Sequence, residues 1–437
     1  MPLKRIYLAS LIALAGFSYT VHADTLLQVY QAAKLKDPTI LSSKAQYDLY
    51  AEMVSETNAA LLPQITFSAD AAYNDLNNDY SNSNYGATLS LTQSLYDSSA
   101  WQALDIAEKQ ATQYAVDYDY DAQDLLLRTA TAYFDVLRAD EAVKSVQANE
   151  RAVERQLKQT QKRFDVGLIA ITDVHEAQAE YDSTAADVIS AENDLLNSYY
   201  MLSELTGTEV RSVARLNIDT FSAQKLEGDI KSWQNQALEY NLELHSQRIA
   251  KELAKMQIES AQAGHKPTLG LTAALDHDST DYREFNSSDN DDNLNTATIG
   301  IELSVPLYSG GQITSLVKQA QYNYVIASES LTKTYRSIGT EIKSGYNNVR
   351  ASISSISAYE QSVTSATSAL EAVEAGFNVG TRTTLDVLDA MQSLYDSEEE
   401  LADARYDYII NILTLKSSAG ILTEQDLIDI SAGLMTE

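Results

Sequence analysis

The sequence contains no cysteine. That removes disulfides, thiolate metal sites and thiol nucleophiles together. It also removes the lipidated residue that a bacterial lipoprotein needs. Chains that cross an oxidising periplasm without disulfides fit this usage. Basic residues are scarce: 31 Lys and Arg stand against 62 Asp and Glu, a net charge of −31. Such a surface repels phosphate backbones, so no nucleic-acid partner is expected. A basic protein or a cation suits it better. Catalytic patterns are missing as well. The five histidines (His22, His175, His245, His265 and His277) form no helical metal pair. Asp276-His277-Asp278 reads as a solvated loop. The calcium-like spacing from Asp291 to Glu302 has Thr296 where a binding loop needs glycine. Gly310-Gly311 is too short to cradle a phosphate, and no nucleophile–base motif is present. No enzyme activity, cofactor or metal is expected.

Long apolar runs are absent beyond the first residues. Lys4 and Arg5 precede an apolar stretch from Ile6 to Phe17, and Val21-His22-Ala23 offers small residues for cleavage. Residues 1–23 therefore read as a signal peptide, with a mature chain from Asp24. The run is too short to span a bilayer, which takes ~20 residues. A membrane crossed by this chain must be crossed by strands.

What is present is a duplication. Leu62-Pro63 matches Lys266-Pro267, and Asp37-Pro38 matches Asn241-Leu242, both at a shift of 204. Leu95-Tyr96 matches Leu307-Tyr308 at 212. Phe164-Asp165-Val166-Gly167 matches Phe377-Asn378-Val379-Gly380 at 213, as Asp173-Val174 matches Asp386-Val387. Collinear matches along most of the chain indicate two copies of one plan, over 24–232 and 233–437. Each copy opens with a helix, from Leu26 to about Ala60 and from about Trp233 to Ala263, halted at Pro63 or Pro267. Strands follow, at about 64–73 and 85–96, then at about 268–276 and 297–308. Long helices are expected over 98–166 and 312–376, with return helices over 172–205 and 384–416.

The strands alternate. Ile65, Phe67, Ala69, Ala71 and Tyr73 are interleaved with Thr66, Ser68 and Asp70. Tyr85, Ala87, Leu89 and Leu91, then Leu269, Leu271, Ala273 and Leu275, then Ile299, Ile301, Leu303, Val305 and Leu307 repeat the pattern. Period two gives one oily and one polar face. Each run is near the ~9–11 residues of a tilted membrane strand. Tyr73, Tyr85, Tyr96 and Tyr308 are expected at strand ends as an aromatic girdle. The stretches Asn74–Asn84 and Asp276–Asn295 read as long polar loops. The competing reading is a soluble sheet on a helical core. Four strands cannot close without leaving bare edges in lipid, and small barrels need about 8. Several chains must pool their strands; two would give eight and three twelve, and the pattern does not choose.

From Ser99 to Val166 the chain has neither Pro nor Gly. At ~1.5 Å per residue such a helix reaches ~100 Å. Val143, Val146, Val153, Leu157 and Phe164 mark a seven-residue seam, with Glu150 and Thr160 in its gaps; Leu401, Tyr408, Ile412 and Leu415 mark one on the return helix. Much of the remaining surface is polar and suits water on one face. A solvated stalk is the alternative to a conduit wall.

Several segments are specific: Asn58-Ala59-Ala60-Leu61-Leu62-Pro63-Gln64, Thr129-Ala130-Thr131-Ala132-Tyr133-Phe134, Arg163 through Val174, Val317 through Asn323, and Val379-Gly380-Thr381-Arg382-Thr383 with Leu385 through Ala390. With them the mature chain resembles the outer-membrane factor family of efflux and secretion channels. The resemblance implies an internally duplicated α+β membrane protein of trimeric form. Three chains would supply a twelve-stranded β-barrel and a long coiled-coil α-helical barrel reaching from the outer membrane into the periplasm. An equatorial belt would come from 207–232 and the last residues. The implied partners are outer-membrane lipid, a periplasmic adaptor (membrane fusion protein) and an inner-membrane RND, ABC or MFS transporter. A pore-less periplasmic adaptor or surface stalk is the rival.

The resemblance also assigns roles. The turns Val166-Gly167-Leu168 and Val379-Gly380-Thr381 would form the periplasmic tip that docks the adaptor; Gly167 and Gly380 suit left-handed helix ends. Asp386 and Asp389 share a helix face. By pattern alone a solvated face is the better reading; with the resemblance they become a ring of carboxylates at the pore mouth, some expected to titrate high through mutual repulsion. Arg382 is implied to pair with Thr172 and Asp173 on a neighbouring coil and hold the tunnel shut. Phe377 stands where the family's closing network uses a tyrosine, so that hydroxyl bond is missing.

Overall fold

The computed structural model describes residues 23–76, 80–218, 221–284 and 290–435; the signal peptide expected over 1–23 lies outside them but for its last residue. The chain runs α1 (Leu26–Lys36), α2 (Pro38–Ala59), β1 (Gln64–Leu76), β2 (Tyr80–Asp97), α3 (Ser98–Asp165), α4 (Ile171–Thr206) and β3 (Arg215–Leu216). It then repeats the order as α5 (Ile230–Tyr240), α6 (Leu242–Ala263), β4 (Thr268–Glu284), β5 (Asn290–Ser304), α7 (Gln312–Asn378) and α8 (Thr384–Ser418). A short α9 (Glu424–Ala432) and β6 (Leu434–Met435) follow. The paired helices match closely in length: α1 and α5 have 11 residues each, α2 and α6 22 each, and α3 and α7 68 and 67.

The single opening helix expected in each copy is broken in two. Asp37 and Asn241 leave the helix with nearly the same backbone, φ −59° ψ 121° and φ −64° ψ 121°. Both then restart it as N-caps. Asp37 Oδ1 accepts from the Thr39 and Ile40 amides at 2.6 and 3.2 Å, and Asn241 Oδ1 from Leu244 at 2.8 Å. Pro38 reinforces the first break, because the residue before proline is pushed out of the helical region. Asn241 precedes leucine, so capping alone makes the second.

The four long strands form one antiparallel sheet in the order β1-β2-β4-β5. Among the described residues the expected polar loops are instead strand, over 74–76, 80–84, 276–284 and 290–295; 77–79 and 285–289 lie outside the described residues. β1 and β2 stay paired from Gln64 opposite Thr92 to Leu76 opposite Tyr80, and β4 and β5 from Thr268 opposite Ser304 to Tyr282 opposite Asn290. The two hairpins also stay paired to each other there, with Tyr80 still opposite Glu284, so the backbone ladder carries the strands past the oily zone without apolar side chains. Cross-strand polar pairs support it: Asn74 Nδ2 donates to Asn82 Oδ1 at 3.0 Å, Thr88 Oγ1 to Asp276 Oδ1 at 2.9 Å, and His277 Nδ1 lies 2.7 Å from Asn295 Oδ1. Tyr73 and Tyr85 consequently lie inside the strands, diagonal to each other on one face. At its other end β5 stops at Ser304, short of the expected 308, because Pro306 has no N–H for the ladder.

Register places the apolar residues in continuous rows. Ile65, Leu91, Ala273 and Ile299 form one, and Phe67, Leu89, Leu275 and Ala297 the next. The opposite face carries Thr66, Ser90, Ala274 and Thr298, then Ser68, Thr88, Asp276 and Thr296. Ile65, Phe67, Ile299 and Ile301 are all exposed in the lone chain. Among the described residues no helix is long and apolar enough to cross a membrane.

The main core lies midway along the long helices. Tyr133, Phe134 and Leu137 of α3 pack with Leu26, Leu202, Ile342, Leu413, Leu415 and Leu427. The buried Tyr133 hydroxyl donates to Ala214 O at 2.7 Å and is 3.1 Å from Asp24 O. It thus ties the chain's start to the segment after α4, which pairs through β3 with β6. Below this core α3 buries two stripes, where one heptad seam was read. Val143, Val153, Leu157 and Thr160 are buried, and so are Asn149, Ala152 and Gln156. The helix is flanked by both α4 and α8, and Asn149 Nδ2 donates to Gln392 Oε1 of α8 at 2.6 Å.

Candidate functional site

The long helices end in two turns of the same construction. After α3, the Gly167 amide donates to Phe164 O at 2.8 Å and the Leu168 amide to Arg163 O at 2.9 Å. After α7, the Gly380 amide donates to Phe377 O at 3.1 Å and the Thr381 amide to Gly376 O at 2.9 Å. Gly167 and Gly380 have φ of 77° and 81°. Each turn is thus a Schellman closure with glycine at the left-handed position. The side chains around them are left bare: Val166 is 70 % exposed, Leu168 72 % and Val379 76 %. A monomeric surface rarely clusters such groups without a partner.

The two turns sit side by side. Arg163 lies over the Phe377 ring, with the guanidinium carbon 4.1 Å from its centroid. Phe377 is buried at 6 % exposure with Ala152, Val387 and Met391. Its place is therefore in the packing that joins α3, α7 and α8, and the arginine face fills one side of its ring.

The start of α8 carries the acidic residues. Thr383 caps the helix: its hydroxyl accepts from the Asp386 amide at 3.2 Å. Asp386 Oδ2 reaches back to the Thr383 amide at 2.7 Å and accepts from its hydroxyl at 2.9 Å. This reciprocal capping box uses Asp386 as its third residue. The Thr383 amide, then its hydroxyl, and the Arg382 charge hold the Asp386 carboxyl below the usual carboxylate range. Within the chain these donors set the Asp386 carboxyl; the mutual repulsion expected of a ring belongs to carboxylates of several chains. Asp389 is exposed one turn further along the same face.

Arg382 reaches Asp386, with Nη1 3.8 Å from Oδ1. The lone chain does not bring it to Thr172 or Asp173; Thr172 Oγ1 instead lies 3.5 Å from Oδ1 of the adjacent residue Asp173 in the first turn of α4. Arg382 folds across Gly376, where an added Cβ would stand 2.7 Å from Arg382 Cγ. Gly376, Arg163 and Thr383 belong to this tip although the sequence reading gave them no role. Thr383 had a legible signal, the Thr-x-x-Asp spacing just before an apolar run.

Helices of ~100 Å joined to a sheet with one oily face define a class: channels of the outer membrane whose helices extend away from it. A model of the outer membrane efflux protein family matches residues 29–208 and 233–421. The chain belongs to that family. It is 44 % identical over 432 residues to the outer membrane protein TolC of Escherichia coli K12, covering 97 % of this chain and 87 % of that one. It is 29 % identical over 448 residues to the proteases secretion protein PrtF of Dickeya chrysanthemi, covering 99 % and 95 %. Among solved structures it superposes on the Campylobacter jejuni CmeC outer membrane channel with a TM-score of 0.78 at 16 % identity, over 94 % of this chain and 90 % of that one.

Proposed function

We propose that three copies of this chain form an outer-membrane export channel for drug efflux and type I protein secretion. The reading rests on one observation: an antiparallel sheet with a continuous apolar face and two unpaired edges, β1 and β5. Bare edges in lipid leave backbone groups unsatisfied, at a cost of several kcal/mol each. Pooling strands removes the edges, and three chains give twelve strands, as the family likeness favours. The helices then continue the barrel as a coiled-coil tunnel into the periplasm, and the hairpin tips face outward. A pore-less adaptor or stalk leaves the oily face without a purpose.

The bare apolar turns at Val166-Gly167-Leu168 and Val379-Gly380-Thr381 are the docking points for a periplasmic adaptor, which links the channel to an inner-membrane RND, ABC or MFS transporter. The kinship with PrtF supports protein cargo, and the family supports efflux. At the tip, Asp386 and Asp389 of three chains form the cation-favouring mouth. Arg382 is the mobile clasp: in the closed trimer it exchanges Asp386 for Thr172 and Asp173 of the adjoining coil. No catalytic step is assigned to any residue.

The test is direct. Material extracted in detergent should migrate as a heat-modifiable oligomer of three and form small-conductance pores in planar bilayers. A monodisperse monomer that needs no detergent overturns the proposal.

A further inference from the structure

The duplication predicts how one subunit's sheet meets the next. The first hairpin pairs residues whose numbers add to 156, as in Gln64 with Thr92; the second pairs residues adding to 572, as in Thr268 with Ser304. Shifting β1 by 204 and β2 by 212 turns one register into the other, so the two hairpins are equivalent residue by residue. Those shifts are the ones read from Leu62-Pro63 and Leu95-Tyr96. The seam between the copies, β2 with β4, is visible in the chain. Its equivalent between subunits is β5 with the partner's β1.

We infer that β5 zips onto β1 of the neighbouring subunit in the register of the β2–β4 seam, which sets Glu302 directly opposite the partner's Asp70 on the polar, lumen-side face. This rests on the trimer proposed above and adds its contact map. Thr92 faces Thr272 within the chain, so Ser304 faces the partner's Ser68. Leu91 faces Ala273, so Leu303 faces the partner's Ala69. Leu89 faces Leu275, so Ile301 faces the partner's Ala71. The oily rows therefore continue unbroken across the seam, as they must if every strand touches lipid. The ladder is irregular between Ser94 and Tyr96, and its equivalent falls at Pro306 to Tyr308. Proline is tolerated at such a bulge, where a donor is dispensable.

At the acidic position the seams differ. Within the chain the equivalent pair is Ser90 and Ala274, both uncharged. Between subunits it is Glu302 and the partner's Asp70. Like charges directly opposite on one face destabilise a strand pair. The fold makes room for this: Asp70 leans over Gly86 on β2, close enough that a Cβ built there would lie 2.6 Å from Asp70 Oδ1. The carboxylate thus tilts away from the open edge. On the same face the described strands place Asp276 and Asp278, Asp276 bonded to Thr88, and no basic residue. Three seams would bring six carboxylates to one level of the barrel.

The chain's lack of cysteine makes the register testable. The pair Ser68→Cys with Ser304→Cys should give covalently linked oligomers under mild oxidant, and Thr66→Cys with Ser304→Cys should not. Trimers in which only the second pair links would overturn the register while leaving the trimer intact. A monomer in which neither links would overturn both. The charge pair has its own readout. Asp70→Asn and Glu302→Gln should each raise the temperature at which the trimer dissociates on a gel at low salt, and the gain should shrink at high salt as screening grows. Gly86→Ala, which pushes Asp70 back toward the seam, should lower it. Asp278→Asn is the control, about 10 Å from Asp70 across two strand spacings, and should shift it less. Equal shifts for all three neutralising variants would overturn the assignment of Asp70 and Glu302 to the seam.

Discussion

Gly376→Ala separates closure of the tip from stability of the fold. Gly376 sits in the last turn of α7 with an ordinary helical backbone, so alanine fits its φ and ψ; only φ above zero would demand glycine. What alanine lacks is space. Its Cβ would stand 2.7 Å from Arg382 Cγ and 3.2 Å from Thr381 Oγ1. Carbon atoms in contact prefer about 3.5–4.0 Å, so the Arg382 side chain must retreat by about 1 Å. Its guanidinium is already 3.8 Å from Asp386, at the outer limit of an ion pair. The shift therefore removes Arg382 from its resting place. Meanwhile alanine in place of glycine favours the helix by up to about 1 kcal/mol. The expected result is a trimer at least as heat-resistant as wild type whose single-channel conductance in a planar bilayer rises toward that of Arg382→Ser. An unchanged conductance, with the Arg382→Ser pore widened, would refute the idea that Gly376 positions the clasp. An unchanged conductance in both would remove Arg382 from closure altogether.

Asp386→Asn and Asp389→Asn should both reduce cation preference, read as reversal potential in a salt gradient, but only Asp386→Asn should also loosen the start of α8, seen as faster amide exchange there. Asp37 is buried against Arg128, with Nη1 2.8 Å from Oδ2. Burial alone would raise its pKa, but Arg128 and the Ile40 and Thr39 amides outweigh it and hold the carboxyl low. A carboxyl lowered on folding contributes stability that is complete above its unfolded pKa of about 3.9 and lost as pH falls through the folded value. Asp37→Asn, which keeps the cap but not the charge, should cost about 2 kcal/mol near neutrality and flatten the loss of stability below pH ~4, measured by urea unfolding. Tyr133→Phe strips the donor from Ala214 O and Asp24 O and should lower stability by about 1–2 kcal/mol in the same assay, with conductance unchanged.

The parts of the fold that one chain decides for itself were open to sequence reading. Proline and glycine mark where the long helices stop, and alternation marks the oily face of each strand. The break at Asn241 was misread because a single capping side chain, with no loss of helical pattern on either side, is enough to interrupt a helix; at Asp37 the signal was there, in Pro38. The polar ribbons were misread for the opposite reason. Asn74 to Asn84 look like loop because strand propensity mostly records packing on a half-buried surface, and the described strand here is held instead by the ladder and by polar cross-strand pairs such as Asn74 with Asn82.

The tip is where sequence and lone chain both stop short, and the cause is physical. Asp386 is satisfied by Thr383 and Arg382 within its own turn, so a spacing of two aspartates carries no trace of a pore. Val166, Leu168 and Val379 stay exposed among the described residues. A ring or a clasp between coils is a property of surfaces that face a second copy, and neither composition nor intrachain packing can encode a distance to an absent subunit. The duplication is the exception. Because the β2–β4 seam is an internal instance of the contact proposed to close the barrel, it carries the geometry of that interface, and at the position where Ser90 faces Ala274 within the chain it sets two like charges, Glu302 and the partner's Asp70. Where a chain contains two copies of one plan, the join between them is the best available measurement of the join between molecules.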